Sequence, residues 1–162
     1  MQPFNHNLEK GVVGIISDTH GLVRPQAMDA LRDSALIIHA GDIGSPTVID
    51  TLHTIAPVAA IRGNVDKDTW ASQFPSELII QLAAVRLCVI HDVKMFSRHR
   101  NMGHLDAVIA GHSHRPHLDT KDGIWFINPG SAGPRRFKLP VAIAKLFVDG
   151  RDINAKVITL DV

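Results

Sequence analysis

Five times along this chain a strand-length apolar run stops on a residue able to bind a cation. Residues 12–16 run into Ser17-Asp18-Thr19-His20, and residues 35–38 into His39-Ala40-Gly41-Asp42. Residues 57–61 lead to Gly63-Asn64, residues 85–90 to His91-Asp92, and residues 105–110 to Gly111-His112-Ser113-His114. Short β-branched runs bounded by turn residues read as buried strands. Alternate side chains of a strand share a face, so Asp18 and His20 project together from the tip of the first. Asp42 follows His20 by 22 positions and Asn64 follows Asp42 by 22, so each polar group falls at the same end of its strand.

Between these runs the pattern turns helical. Residues 24–32 suit a helix with Pro25 in its first turn, and Ser45-Pro46 is an N-cap followed by proline at the first helical position, opening a helix to about residue 55. A βαβαβ rhythm of this kind predicts a parallel core. The second half changes character. Residues 77–82 and 85–90 form a short hairpin, and residues 93–104 a short imperfect helix or loop. Residues 115–119 and 124–127 flank a Thr-Lys-Asp-Gly turn, and residues 141–148 pair with 153–160 across Asp149-Gly150. The expected architecture is a single α/β domain over residues 1–162, a two-sheet α/β/β/α sandwich with helices outside. Residues 1–10 are expected to be a loose polar lead-in.

Composition narrows the function classes. Among 162 residues there are ten histidines and a single cysteine, and the formal net charge is +1. Such a balance leaves no strong nucleic-acid footprint. One cysteine excludes an internal disulfide and suits a reducing cytoplasm, and Cys88 lies inside an apolar run as a small core residue. The N-terminus lacks the apolar core of a signal peptide, and Gln81 and Arg86 interrupt the most apolar stretch, so no membrane span is expected.

If the strand tips cluster, Asp18, His20, Asp42, Asn64, His91, His112 and His114 converge on one rim, where ligands of open α/β sheets bind. Seven oxygen and nitrogen donors exceed one tetrahedral zinc site and suit two metals sharing a carboxylate. The glycines before Asp42, Asn64 and His112 let the backbone turn sharply there.

Asp18-Thr19-His20, Gly41-Asp42, Gly63-Asn64, His91 and Gly111-His112-Ser113-His114, in that order, resemble the motif series of calcineurin-like metallophosphoesterases. The resemblance runs from about residue 12 to 131, includes the Asn128-Pro129-Gly130-Ser131 loop, and is greatest to the small bacterial and archaeal phosphodiesterases. It implies that Asp18, His20 and His114 hold one metal, that Asn64, His91 and His112 hold the other, and that Asp42 bridges them. Manganese is the expected metal, with iron, zinc and nickel as alternatives. It further implies catalytic roles for Asp42, Asn64 and His91 around a hydroxide held between two cations about 3.5–4 Å apart. The implied reaction is hydrolysis of small phosphodiesters.

Two departures stand out. Many family members carry a histidine after Gly-Asn that protonates the leaving oxygen, where this chain has Val65. Loss of a general acid predicts weak activity on poor leaving groups, and Asp66 is expected to orient a loop rather than to replace the acid. Asp92 stands where relatives commonly have glycine, and its carboxylate would narrow the site or repel anionic substrates. His39 reads as a packed or ligand-supporting histidine, His6 and His53 as surface residues, and His99 and His104 as candidates to reach the pocket. Arg98, Arg100, Arg135, Arg136 and Lys138 read mainly as a solvated basic face, and Trp70 and Trp125 as packing anchors. Against the enzyme stands a second class, a non-catalytic docking scaffold of the same fold, as in a similar retromer subunit. A competent side chain at every metal position favours catalysis. The exposed edges of two sheets are compatible with a homodimer.

Overall fold

The computed structural model describes residues 3–97 and 102–162. In chain order the strands and helices are β1 (Phe4–Asn5), β2 (Lys10–Ile16), α1 (Pro25–Leu31), β3 (Leu36–His39), α2 (Pro46–His53), β4 (Val58–Ala60), β5 (Glu77–Leu82), β6 (Val85–Ile90), β7 (Ala107–Ile109), β8 (His117–Lys121), β9 (Ile124–Asn128), β10 (Ala142–Asp149) and β11 (Asp152–Thr159). They form two sheets, ordered β1-β5-β6-β7-β9-β8 and β11-β10-β2-β3-β4. The two-sheet α/β sandwich read from the sequence is therefore observed.

Strand alternation builds the layers. Val13 and Ile15 of β2, Leu36 and Ile38 of β3, and Ala59 of β4 face Ile80, Leu82, Leu87, Val89 and Ile109 of the other sheet in the central core. The opposite faces of β2 and β3 present Ile16 and Ile37 to Leu31 of α1 and Val48 and Leu52 of α2. On the outer face of β5–β7, Ile79, Cys88, Ile90 and Val108 are covered by Phe96, Met102 and Leu105. Helical structure on that side, among the described residues, is a 3-10 turn at Val93–Met95. Cys88 is fully buried, as its apolar run predicts.

Local chemistry accounts for the element ends. Ser45 caps α2, its hydroxyl accepting from the Thr47 N–H, with Pro46 at the first helical position. The β8–β9 turn is Asp122-Gly123, both with positive φ (53° and 77°), the pairing a two-residue type I′ hairpin requires. Strand β8 accordingly extends to Lys121, past the residue 119 expected from sequence.

One expectation needs correction. The lead-in is not wholly loose: Phe4 and Asn5 pair in parallel with Ile80 and Gln81, and Leu8 enters the central core. The backbone of β5 offers an open edge, and Phe4 and Leu8 supply enough apolar surface to hold the segment there. No helix among the described residues is long and apolar enough to cross a membrane.

The topology positions the site. Ile16, His39 and Ala60 end three parallel strands in register, and Val89, Ile109 and Ile127 stand level in three parallel strands of the other sheet. Both sets send their C-terminal ends to one rim. Ile38 sits fully buried between the sheets, so Ile38→Ala is expected to cost about 3 kcal/mol, read as a lowered urea midpoint with unchanged slope.

Candidate metal centre

Asp18 follows the last residues of β2, wholly inaccessible to solvent. The Ser17 hydroxyl (2.7 Å) and the His112 backbone N–H (3.0 Å) donate to its Oδ2. Its Oδ1 has no hydrogen-bond partner and lies 3.4 Å from His114 Nε2 and 3.8 Å from His91 Nε2. Asp42 Oδ1 accepts from the Val65 N–H at 3.1 Å, while Oδ2 lies 3.2 Å from His91 Nε2 and 3.7 Å from His20 Nε2. One donor atom from each of Asp18, His20 and His114 falls within 4.8 Å of the others, and the same holds for Asp18, Asp42 and His91. Five of the seven expected residues are thus gathered around two carboxylates. Asn64 and His112 are more exposed and line a 450 Å³ cavity that also reaches His91.

The residues present fit divalent cations. Asp18 Oδ1, His20 Nε2 and His91 Nε2 are buried donor atoms without hydrogen-bond partners, aimed into a common space. Buried polar groups are ordinarily satisfied, and a carboxylate oxygen converging with imidazole nitrogens is the donor set of hard-to-borderline metals. His91 is pre-oriented for the task. Its Nδ1 lies 2.7 Å from the Ala40 carbonyl, so Nδ1 carries a proton and Nε2 is the nitrogen turned toward the carboxylates, where a cation could take its lone pair.

Five of the expected ligands adopt left-handed backbone: Asp18 (φ 54°), His20 (46°), Asp42 (55°), His112 (71°) and His114 (60°). Each such residue costs about 1–3 kcal/mol, a strain that accumulates at functional sites. Gly41 is also left-handed (φ 99°), but Gly63 is not: a Cβ there would strike the Asp42 carboxylate and backbone nitrogen. The glycine of Gly63-Asn64 therefore serves close approach rather than a sharp turn.

Several supporting residues lock the loops. Asp66, buried, accepts from the backbone N–H groups of Ile43, Gly44 and Gly63, each at 2.9 Å, joining the Asp42 loop to the Asn64 loop. This is the orienting role expected of it. Asn128 donates to the Gly111 carbonyl (2.9 Å), and the Ser131 hydroxyl donates to the Asp18 carbonyl (2.9 Å). Sequence reasoning assigned no role to Ser17, Thr19, Asn128 or Ser131; the available signal was the Asn-Pro-Gly-Ser loop itself.

Electrostatics separates the carboxylates. Burial pushes Asp18 above its usual value, against the Ser17 hydroxyl and the His91 and His114 rings. Asp42 also pays for burial, but His91, the Val65 N–H and His20 outweigh it and hold the carboxyl at about 2. His91 loses by burial and gains more from Asp42 and the Ala40 carbonyl, so its pKa is raised. Burial lowers His114, and the Asp18 charge offsets this only in part.

His39 is fully buried and holds the loops from beneath. Its Nδ1 accepts from the Gly41 N–H (3.1 Å), so Nε2 carries the proton and donates to Thr19 Oγ1 (2.9 Å), whose hydroxyl donates to the Ile43 carbonyl. The remaining candidates fall elsewhere. His104 is exposed and pairs with Asp106 (3.0 Å), His53 is exposed and His6 half-buried, and Trp70 and Trp125 pack on the cores. Arg98, His99 and Arg100 lie outside the described residues. Val65 is half exposed beside the site. Asp92 has ordinary extended backbone (φ −111°), caps the 3-10 turn through the Lys94 N–H, and places Oδ2 3.9 Å from His112 Nε2.

Residues 12–150 match the calcineurin-like phosphoesterase superfamily domain. The chain belongs to this family. It is 33% identical over 159 residues to a probable metallophosphoesterase of Methanothermobacter thermautotrophicus, covering 91% of each chain. It is 30% identical over 139 residues to a phosphodiesterase of Methanocaldococcus jannaschii, covering 73% of this chain and 82% of that one. In fold it is similar to Vps29 of Chaetomium thermophilum, with a TM-score of 0.74 at 16% identity, covering 93% and 100% of the two chains. The family binds divalent metals, in keeping with the convergent donor groups here.

His39 makes a pH-dependence testable. Burial lowers it from 6.5 to about 3, against the charge of Asp66. Between those values the unfolded chain binds a proton that the folded chain does not, so stability is complete above about pH 6.5 and falls as pH drops, by about 1.4 kcal/mol per unit. In His39→Asn, which keeps an acceptor for the Gly41 N–H, urea midpoints measured from pH 7 to 4 are expected to decline less steeply, by about one proton's worth.

Proposed function

We propose that this calcineurin-like phosphoesterase is a metal-dependent phosphodiesterase acting on small phosphodiesters. The observation that carries the reading is the convergence of partnerless buried donors, Asp18 Oδ1, His20 Nε2 and His91 Nε2, beside an open 450 Å³ cavity. Asp18, His20 and His114 would hold one divalent ion and Asn64, His91 and His112 a second. Asp42 would lie between them, since its Oδ2 faces both His20 and His91. Manganese is the proposed metal, with iron, zinc or nickel as alternatives. Such ions supply Lewis-acid polarisation of a phosphoryl oxygen and activation of water.

The chain's own residues set the rest. Asp42, held at about pKa 2, stays a carboxylate throughout the neutral range. The Ala40 carbonyl fixes which nitrogen His91 presents, and Asn64 stands at the cavity lip as a neutral donor and ligand. In the reaction an oxygen from water bonds to phosphorus, one P–O ester bond breaks, and the leaving oxygen takes a proton, giving a phosphomonoester and an alcohol or phenol. No described side chain stands ready to give that proton: the position has Val65, Asp66 is committed to three N–H groups, and His104 is paired with Asp106.

The likeness in fold to Vps29 supports a second reading, a non-catalytic docking scaffold. A competent side chain at every expected metal position favours catalysis. Chelator-stripped protein is expected to hydrolyse bis(p-nitrophenyl) phosphate when manganese is restored, and Asp42→Asn to lose at least about a hundredfold of that rate. Tight metal binding with no turnover under any divalent ion would turn the assignment to the scaffold.

The missing acid gives a separate expectation. Exchanging an aryl for an alkyl leaving group should lower kcat by at least about a hundredfold, and Val65→His should recover about tenfold of the gap. Equal rates on alkyl and aryl diesters would count against it.

A further inference from the structure

Two walls of opposite character flank the candidate metal centre. The cavity beside Asn64, His91 and His112 is lined by Glu77 and Asp92 together with the apolar Ile90 and Met95, and its guanidinium, Arg62, donates to the Phe74 carbonyl. Two carboxylates make this a poor wall for a polyanion.

On the His114 side the chemistry reverses. The loop after Ser131 is fastened to the site: Ser131 donates to the Asp18 carbonyl, and Arg24 donates to the Gly133 carbonyl at 3.3 Å. It then carries Arg135, Arg136, Phe137 and Lys138 over a turn closed by the Leu139 N–H to the Arg136 carbonyl. Arg135 reaches back to the Val162 carbonyl. Arg115 follows His114 directly, and with Phe137, Lys138 and Leu139 it lines a second cavity of 580 Å³. Phe137 is 87% exposed and left-handed (φ 55°), a conformation bulky side chains rarely adopt. An exposed aromatic face that shares a cavity with Arg115 and Lys138, on a loop anchored at the Asp18 turn, matches a base and its phosphate: stacking on the ring accepts any base, and the cations pair with phosphate oxygens.

We propose that Phe137, with Arg115 and Lys138, forms a subsite for the nucleotidyl portion of the substrate. The inference rests on the phosphodiesterase reading and names its substrate class. An aromatic ring among cations also suits an anionic lipid surface. The nucleotide is favoured because the loop is tied at Ser131 to the Asp18 carbonyl, and Arg115, which lines its cavity, directly follows His114 in the chain.

Titration calorimetry of the manganese-supplied protein with adenosine 5′-monophosphate, against ribose 5-phosphate as the control lacking a base, reads the subsite without turnover. The nucleotide is expected to bind about tenfold more tightly. Phe137→Ala should abolish that preference and Phe137→Trp should keep it. Equal affinity in the wild type, or a preference surviving Phe137→Ala, would overturn the subsite. In turnover, the kcat/KM ratio of thymidine 5′-(p-nitrophenyl phosphate) to bis(p-nitrophenyl) phosphate should fall about tenfold in Phe137→Ala. Failure of both esters to turn over would defeat the phosphodiesterase reading, while the titration still decides the subsite. Phe137-dependent sedimentation with phosphatidylcholine–phosphatidylserine vesicles, without any nucleotide preference, would overturn the proposal in favour of a membrane-docking loop.

Discussion

A carboxylate with no access to solvent, Asp18, holds the two sheets to one another at the rim where their chemistry is gathered. Burying an ionised carboxylate is costly unless its oxygens are bonded or faced by positive charge. One oxygen is answered by Ser17 and by the His112 N–H, the first from the end of β2 and the second from the loop that follows β7. The other oxygen has only imidazole nitrogens before it, from His91 and His114. The group is thus half satisfied by the protein and half left for a cation. A cation there would also relieve the burial that raises its pKa.

Such a vertex demands that loops from both sheets reach it, and straight continuation of the strands would not bring them there. The left-handed turns at Asp18, His20, Asp42, His112 and His114 redirect the chain at each tip. Their strain is offset by a net of backbone-directed bonds beneath, through Asp66, His39, Asn128 and Ser131. Asp66 and His39 do equivalent work in opposite electrical states. Asp66 answers three N–H groups with a carboxylate, while His39 must remain neutral, because a proton on Nδ1 would remove the acceptor that the Gly41 N–H uses.

What the sequence disclosed follows from this division. The strand tips were legible because buried runs break abruptly to polar residues, and the hairpin of β5 and β6 was read with its observed bounds because its apolar runs are continuous. The convergence of Asp18, His20 and Asp42 was legible from the parallel βαβαβ rhythm, whereas that of His91 and His114 rested on the motif order, since the parallel pairing of β6, β7 and β9 has no signature in sequence. The pairing of Phe4 and Asn5 was not legible, since two residues carry no period and the edge is held by backbone groups. Nor could spacing reveal that Gly63 is required by the Asp42 carboxylate beside it, a contact between loops 21 residues apart, or that Asn128 and Ser131 clamp those loops. Polar loop residues look alike in sequence whatever they bind.

Val65 and Asp66, neighbours in sequence, serve the centre in different ways. Val65 contributes its backbone N–H to Asp42, a bond any residue but proline could make, so the bond makes no demand on its side chain. Asp66 ties three N–H groups of two loops, and no other side chain of that length offers two acceptor oxygens without a donor. The centre's geometry is thereby insulated from changes in its chemistry. Glu77 and Asp92 on one side, and Arg115 and Lys138 with Phe137 on another, stand outside the donor cluster, so the flanking loops can differ in charge while the cluster stays fixed.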